Sequence, residues 1–255
     1  MKINLSKMEQ TLRLIVRAIE KGAGEDVREY LYSTDKATNN AIRLMRADNI
    51  NTNLRNSVMS DAVQLKYFKR YGWTGCLLID RENKVTYTIC TEKTLAAIPR
   101  KPDRRIPHYL QTILYVQNAD VKPMYEQEEI PAFGYGQQMS LFSDEEYHQD
   151  YESIMEDEIS FDDGYTHYVI AYEVSHYDIV SISLRLLDKD FRKAQEYPLD
   201  AFLQPDFSEL TSEQRKPDQK DAHSLVSVKA GLGKPEGSQQ EPVITPKIIE
   251  EKRQA

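Results

Sequence analysis

Apolar residues near the N-terminus recur at helical spacing. Met8, Leu12, Ile15, Val16 and Ile19 share one face of a 3.6-residue period, behind an S-x-x-E capping box formed by Ser6 and Glu9. Gly22 and Gly24 are expected to stop that helix. A second helix is predicted from Glu25 to Met45, with Val27, Tyr30, Leu31, Thr34, Ala41, Ile42 and Met45 along one face. The Asn-rich stretch from Asp48 to Asn56 reads as a loop or a cap. A further helical stretch is predicted near Ser57 to Phe68.

Beyond Trp73 the period changes to two. Cys76 to Ile79 is a short apolar run, residues 80–84 are turn-like, and Val85, Tyr87 and Ile89 alternate with Thr86, Thr88 and Cys90. That pattern predicts a β-hairpin. A short helix follows from Thr91 to Ile98, ended by Pro99, and the apolar run from Thr112 to Val116 fits either a strand or a helix. Residues 118–163 form an insertion with one helix near Glu145 to Glu158. Alternation resumes in Tyr165–Val174 and Asp178–Leu187, two strands of an antiparallel sheet around a turn at Ser175-His176. After Pro205 apolar periodicity ends, and Gly, Pro, Ser and Gln dominate, as in a flexible tail. Within that tail, Pro242 to Ile249 is a small apolar island. The expected class is α+β: N-terminal helices packed on a small, mostly antiparallel sheet, with an acidic loop insertion and a disordered C-terminal tail. Four segments result: 1–117, basic helices and the first hairpin; 118–163, the acidic insertion; 164–204, the second hairpin; 205–255, the tail.

Charge sharpens this division. The chain carries a net −8, yet residues 1–122 hold 21 Lys+Arg against 13 Asp+Glu, and residues 123–184 hold 15 Asp+Glu and no Lys or Arg. Such asymmetry points to charge-based recognition. The basic part suits nucleic acid. The acidic part suits mimicry of nucleic acid, a basic partner surface, or folding back onto the basic part, beside the plainer reading of a solvated acidic linker. Two cysteines, Cys76 and Cys90, are too few for a disulfide framework and suit a reducing cytoplasm. No apolar signal-peptide core and no 18-residue apolar run is present, so a soluble, cytoplasmic protein without a membrane partner is expected.

The segment Gln138-Met139-Ser140-Leu141-Phe142 resembles the pentapeptide by which bacterial proteins dock on the DNA polymerase sliding clamp. In such a peptide Leu141 and Phe142 are the apolar anchors, each contributing roughly 1.5–3 kcal/mol when fully buried. Met139 adds adaptable contact, and the Gln138 amide fixes orientation. Ordering costs about 1–2 kcal/mol per residue, so an affinity near micromolar is expected. Pro131, Gly134 and Gly136 precede the peptide and suit irregular backbone. Ser143-Asp144-Glu145-Glu146 follow it and suit a helix start. The alternative is a Leu-Phe pair buried at a loop-to-helix junction.

No catalytic signature is present: no G-x-S-x-G, P-loop, H-E-x-x-H or paired C-x-x-C. Asp80, Glu82 and Lys84 are the residue types of a magnesium-dependent nuclease, but they share one predicted turn, where solvated turn chemistry is the simpler reading. His167, Glu173 and His176 are a weak metal pattern beside the reading of a histidine exposed on a strand. No cofactor is implied. Arg100, Lys101, Arg104 and Arg105, with His108 and Tyr109, form the densest basic cluster and suit phosphate contacts, beside the simpler reading of a solvated loop between Pro99 and Pro107. Tyr67, Lys69, Arg70, Tyr71 and Trp73 add groups able to stack on bases.

The stretch from Asp48 to Asn118 resembles an uncharacterised family of Gram-positive bacteria and their prophages. The resemblance rests on Ile50-Asn51-Thr52-Asn53-Leu54, Gly72-Trp73-Thr74-Gly75, Asp80, Thr88-Ile89-Cys90 and Arg105-Ile106-Pro107-His108-Tyr109-Leu110-Gln111-Thr112-Ile113-Leu114, and Tyr172-Glu173-Val174 with His176 continue it. It implies no assigned activity. It does imply a toxin–antitoxin-like or phage-defence setting, with a helix-turn-helix or zinc-peptidase protein as a partner. Binding to the sliding clamp, rather than catalysis, is the expected function. The alternatives are a nuclease toxin with a basic surface and an acidic regulator that mimics DNA.

Overall fold

The Met8–Ile19 stripe does line a helix, and that helix continues where a break was expected. The computed structural model describes residues 5–70, 72–99, 105–124 and 142–204. Helix α1 (Leu5–Glu20) begins one residue ahead of Ser6, so Ser6 is not its N-cap, and Glu9 instead accepts from Arg13 Nη2 at 2.8 Å. Gly22 and Gly24 do not end it. They lie in a five-residue π turn (Lys21–Glu25) that runs into α2 (Asp26–Ser33). The reason is close approach. A Cβ on Gly22 would stand 2.6 Å from the backbone nitrogen of Ile50, and one on Gly24 would stand 2.9 Å from the carbonyl oxygen of Tyr177.

The second helix ends at Ser33, well short of Met45. Ser33 and Thr34 hydroxyls both donate to the Tyr30 carbonyl, at 3.1 and 2.6 Å, and take the backbone out of the helix. The Asn-rich stretch that reads as a loop is instead the body of α3 (Ile42–Ser57). Its asparagines have partners that no local rule reveals: Asn53 Nδ2 donates to Asp26 at 2.7 Å, and Asn49 lies over the Gly22 carbonyl. Residues 58–68 are not helical either. Val63–Arg70 is strand β1, pulled into register by β2 (Trp73–Asp80) from Val63↔Asp80 to Arg70↔Trp73.

Strands β3 (Val85–Thr91), β4 (Thr166–Ser175), β5 (Asp178–Leu187) and β6 (Lys193–Pro198) complete one six-stranded sheet in the order β1-β2-β3-β4-β5-β6. Every neighbouring pair is antiparallel except β3 and β4, which are parallel. The β4–β5 turn has positive φ at both His176 (48°) and Tyr177 (72°), the twist that two-residue hairpins favour. The class is therefore α+β, with N-terminal helices on a mostly antiparallel sheet.

Period-two burial sorts the side chains into two layers. Leu78, Tyr87, Tyr168, Ile170, Ile182 and Leu184 pack against Met8, Leu12, Ile15, Ile19, Ile50 and Leu54. The opposite sheet face carries α4 (Glu92–Ala97), α5 (Tyr109–Gln117) and α6 (Asp144–Met155). There Leu77 and Ile79 meet Ile113, Tyr151, Ile154 and Met155, while Val169 and Ala171 meet Leu95, Leu110 and Leu114. The parallel β3–β4 step requires a crossover, and α4, α5 and α6 lie along it. The described part of the 118–163 insertion is thus a structural layer of the same unit, Met1–Pro205. The tail, with its apolar island, lies outside the described residues.

Candidate functional site

The pentapeptide meets the described structure at its last residue. Gln138, Met139, Ser140 and Leu141 lie outside the described residues. Phe142 is half-buried and stands directly before Ser143, the N-cap of α6. Ser143 Oγ accepts from Glu146 N at 3.3 Å, and Glu146 Oε2 accepts from Ser143 N at 2.7 Å, a reciprocal capping box. The Phe142 ring meets the Tyr147 ring edge-on, centroids 5.9 Å apart. That contact links the residue before the cap to the fourth helical residue, a hydrophobic staple. Phe142 therefore already serves the fold locally, by setting the angle at which the chain enters α6.

Helix α6 is firmly held. Arg70 pairs with Asp150, which also accepts from Thr112 Oγ1 at 2.5 Å; Gln111 Nε2 donates to the Tyr147 hydroxyl at 2.8 Å; Tyr115 bonds Asp144. Lys66–Glu156 (2.6 Å) and Arg81–Glu158 (2.5 Å) continue the series. Lys66 holds the exposed Glu156 carboxyl below its usual range, chiefly through their hydrogen bond. Of the readings of the acidic segment, folding back onto the basic part describes Asp150, Glu156 and Glu158.

A second constellation joins two stretches that stand apart in the sequence. Trp73 lies opposite Arg70 at the turn end of the β1–β2 hairpin. Its ring stands 5.4 Å from that of Tyr109 and 5.9 Å from Phe68, and the His108 ring lies tilted against Tyr109 with centroids 4.4 Å apart. His108 Nδ1 accepts from Leu110 N at 3.2 Å, capping α5 and fixing the imidazole. Phe68 is 3% exposed, Tyr109 and His108 are half-buried, and Trp73 is 42% exposed. Gly75, opposite Phe68 in the register, leaves the space that the phenyl ring fills. Arg105 and Lys69 are exposed, while Arg100, Lys101 and Arg104 lie outside the described residues.

The catalytic candidates resolve into structural roles. Asp80 is buried at 1% exposure, and its carboxylate accepts from Asn83 N (3.0 Å) and Nδ2 (2.8 Å), closing the β2–β3 turn. Glu82 and Lys84 are exposed on that turn, and Lys84 lies over the Tyr165 ring. His167 is not an exposed strand histidine and does not gather with Glu173 and His176. It is fully buried near the start of β4, whereas His176 is at the far end, nine residues or roughly 30 Å of strand away. Among the described residues no three His, Cys, Asp or Glu side chains converge as metal ligands would. Burial pushes both Cys76 and Cys90 thiols up to about 12, the opposite of an activated nucleophile.

His167 instead organises a buried network that periodicity does not reveal. Thr86 Oγ1 donates to Gln117 Oε1 (2.5 Å), so it can only accept from His167 Nδ1–H (2.7 Å). Nε2 is then the acceptor for Thr88 Oγ1 (2.9 Å). Gln117 Nε2 donates onward to the Tyr151 hydroxyl, and Asn118 Nδ2 bonds the carbonyls of His167 and Leu187. The network ties β3, β4, α5 and α6 together. Burial drives the imidazole pKa down to about 3, so the ring is neutral. The threonines opposite His167 are readable as a polar strand face, but their common partner is 79 and 81 residues away.

A six-stranded α+β sheet with helices on both faces is the class that these elements define. Residues 4–247 match a family of unknown function (DUF5986), and the chain belongs to that family. No curated protein and no solved structure matches it. Among the described residues no helix is long and apolar enough to cross a membrane.

Proposed function

We propose that this protein docks on the bacterial DNA polymerase sliding clamp through Gln138, Met139, Ser140, Leu141 and Phe142, and acts by binding rather than catalysis. The observation that carries the reading is the pentapeptide itself, five residues of the docking type ending directly before the N-cap of a helix fastened to the body by Asp150 and Tyr147. A fixed helix supports docking because it holds Phe142, the last of the five residues, at a defined place beside Tyr147. Phe142 would exchange its edge contact with Tyr147 for the clamp pocket. Docked this way, the protein competes with polymerases for the ring or is carried to replicating DNA. A growth-inhibiting, prophage-linked role in the cytoplasm, with a helix-turn-helix or zinc-peptidase protein as counterpart, belongs to the same proposal and rests on the family resemblance alone.

The test is co-purification with the clamp from a Gram-positive lysate, comparing the intact chain with Leu141→Ala/Phe142→Ala. Loss of the clamp from the double variant is expected. Equal recovery overturns the reading and leaves Phe142 as the staple of α6.

A further inference from the structure

We propose that the outer edge of strand β1 takes up an acidic, extended peptide of a partner protein as an added strand of the sheet, with Lys69 and Arg55 meeting its carboxylates. This surface is separate from the pentapeptide and does not rest on clamp docking.

Three observations carry it. First, the two edges of the sheet differ. At β6, Met124 N donates to the Lys193 carbonyl at 2.9 Å, and Pro198 offers no N–H, so that edge is closed at both ends. Strand β1 has eight residues and no proline, and β2 is its one strand neighbour among the described residues. Second, the ladder shows which backbone groups of β1 stay open. Arg81 N donates to the Ala62 carbonyl at 2.9 Å, so Ala62 bonds toward β2, and alternation sends Gln64, Lys66, Phe68 and Arg70 the same way. The residues between them turn their N–H and C=O outward. Val63 is satisfied there by Ser60, whose Oγ accepts from Val63 N at 3.1 Å and whose N donates to the Val63 carbonyl at 2.9 Å. For Leu65, Tyr67 and Lys69 no such bond exists among the described residues. Outward donors and acceptors in a row are a template for another strand. Third, charge selects the occupant. Tyr67 and Lys69 project from one face of the sheet, and both are exposed. Arg55, in the last turn of α3, lies near enough to the Tyr67 hydroxyl to act on it electrostatically. Neither Lys69 nor Arg55 has a carboxylate partner among the described residues. On the opposite face Lys66 and Arg70 are already paired with Glu156 and Asp150. An incoming strand therefore meets unanswered positive charge on one side and neutralised charge on the other, which fits carboxylates at alternate residues. A second copy of β1 would instead double the cations on the Tyr67 face.

The probe is the fluorescein-labelled peptide Val-Glu-Val-Glu-Val-Glu-Val, titrated with the full chain in low salt and read by fluorescence anisotropy. Binding is expected, and the same peptide with Lys in place of Glu should bind at least about fivefold more weakly. Backbone N-methylation then tests the pairing without altering the protein. One probe carries it at the glutamates and another at the valines, and only one of these sets of N–H groups can face β1. One methylated probe should bind nearly as the parent does, and the other should fail. Lys69→Glu should weaken the Glu probe by about fivefold and strengthen the Lys probe, an exchange of preference that a folding defect does not produce. The Leu141→Ala/Phe142→Ala variant should bind the Glu probe as the intact chain does, which separates this outcome from that of clamp docking. No binding of the Glu probe, equal binding of the Glu and Lys probes, or equal effects of the two methylations overturns the proposal. So does a dimer of the free chain that Tyr67→Pro abolishes, since the edge would then belong to a second copy.

Discussion

Acidification should destabilise this protein in large part through one buried imidazole. His167 is fully buried between Thr86 and Thr88, and its pKa is driven by burial from 6.5 to about 3. In the unfolded chain the ring regains its ordinary value. Below pH 6.5 the unfolded state therefore takes up a proton that the native state refuses, and stability falls as pH drops toward 3. Above pH 6.5 this group contributes no pH dependence. Each pH unit corresponds to about 1.36 kcal/mol, so two units, to pH 4.5, cost roughly 3 kcal/mol. That is a large share of the 5–15 kcal/mol typical of a folded domain. Carboxylates titrate nearby, and Glu156 and Glu196 also lose stabilising contacts in acid because their pKa values are lowered, chiefly by hydrogen bonds from Lys66 and Lys193. The measurement must therefore be a double difference. Urea unfolding at pH 7 and pH 4.5 is compared between the intact chain and His167→Gln, which keeps a donor and an acceptor but cannot titrate. The intact chain should lose roughly 3 kcal/mol more than the variant across that interval. Equal losses would mean that His167 is solvated or charged in the native state, and the neutral-tautomer network would be wrong.

Two further predictions concern the packing that positions the candidate surfaces. Gly22→Ala should destabilise by roughly 1–3 kcal/mol, because its Cβ would meet the Ile50 backbone at 2.6 Å. In an ordinary exposed helix the same change stabilises by about 1 kcal/mol, so the sign of the shift in urea midpoint decides the matter. Asp150→Ala should cost roughly 2–3 kcal/mol, since it strands Arg70 and the buried Thr112 hydroxyl together. At about 2–4 °C per kcal/mol for a chain of this size, thermal unfolding should come at least 4 °C earlier, and no change would show that α6 is held by other contacts.

Much of the sheet is legible in the sequence because its strands obey a local rule. Val85, Tyr87 and Ile89 alternate, as do Ile182, Leu184 and Leu186, and they form β3 and β5 where the pattern places them. The α4 and α6 helices are likewise announced by Thr91 and Ser143, whose side chains cap them. Several of the failures share one cause, which is distance along the chain. Asn49 and Asn53 look like loop residues until Gly22 and Asp26 supply their partners, and Gly22 looks like a helix stop until Ile50 demands its missing side chain. Strand β1 reads as helical because Leu65, Tyr67 and Phe68 fit either period, and only pairing with β2 selects the strand. Strand β6 escapes detection because a half-buried edge strand with Lys193, Gln195 and Glu196 has no apolar run to reveal it. Of the candidate surfaces, the pentapeptide and both halves of the ring cluster are visible as separate segments. The meeting of Trp73 with Tyr109 is not, since it depends on how the β1–β2 hairpin lies against α5.

The most direct test of the central claim is a calorimetric titration of purified sliding clamp with the full chain, repeated with Leu141→Ala/Phe142→Ala. A dissociation constant near micromolar for the intact chain, with heat lost entirely in the double variant, is the predicted result. Binding of equal strength by both chains, or by neither, would contradict it.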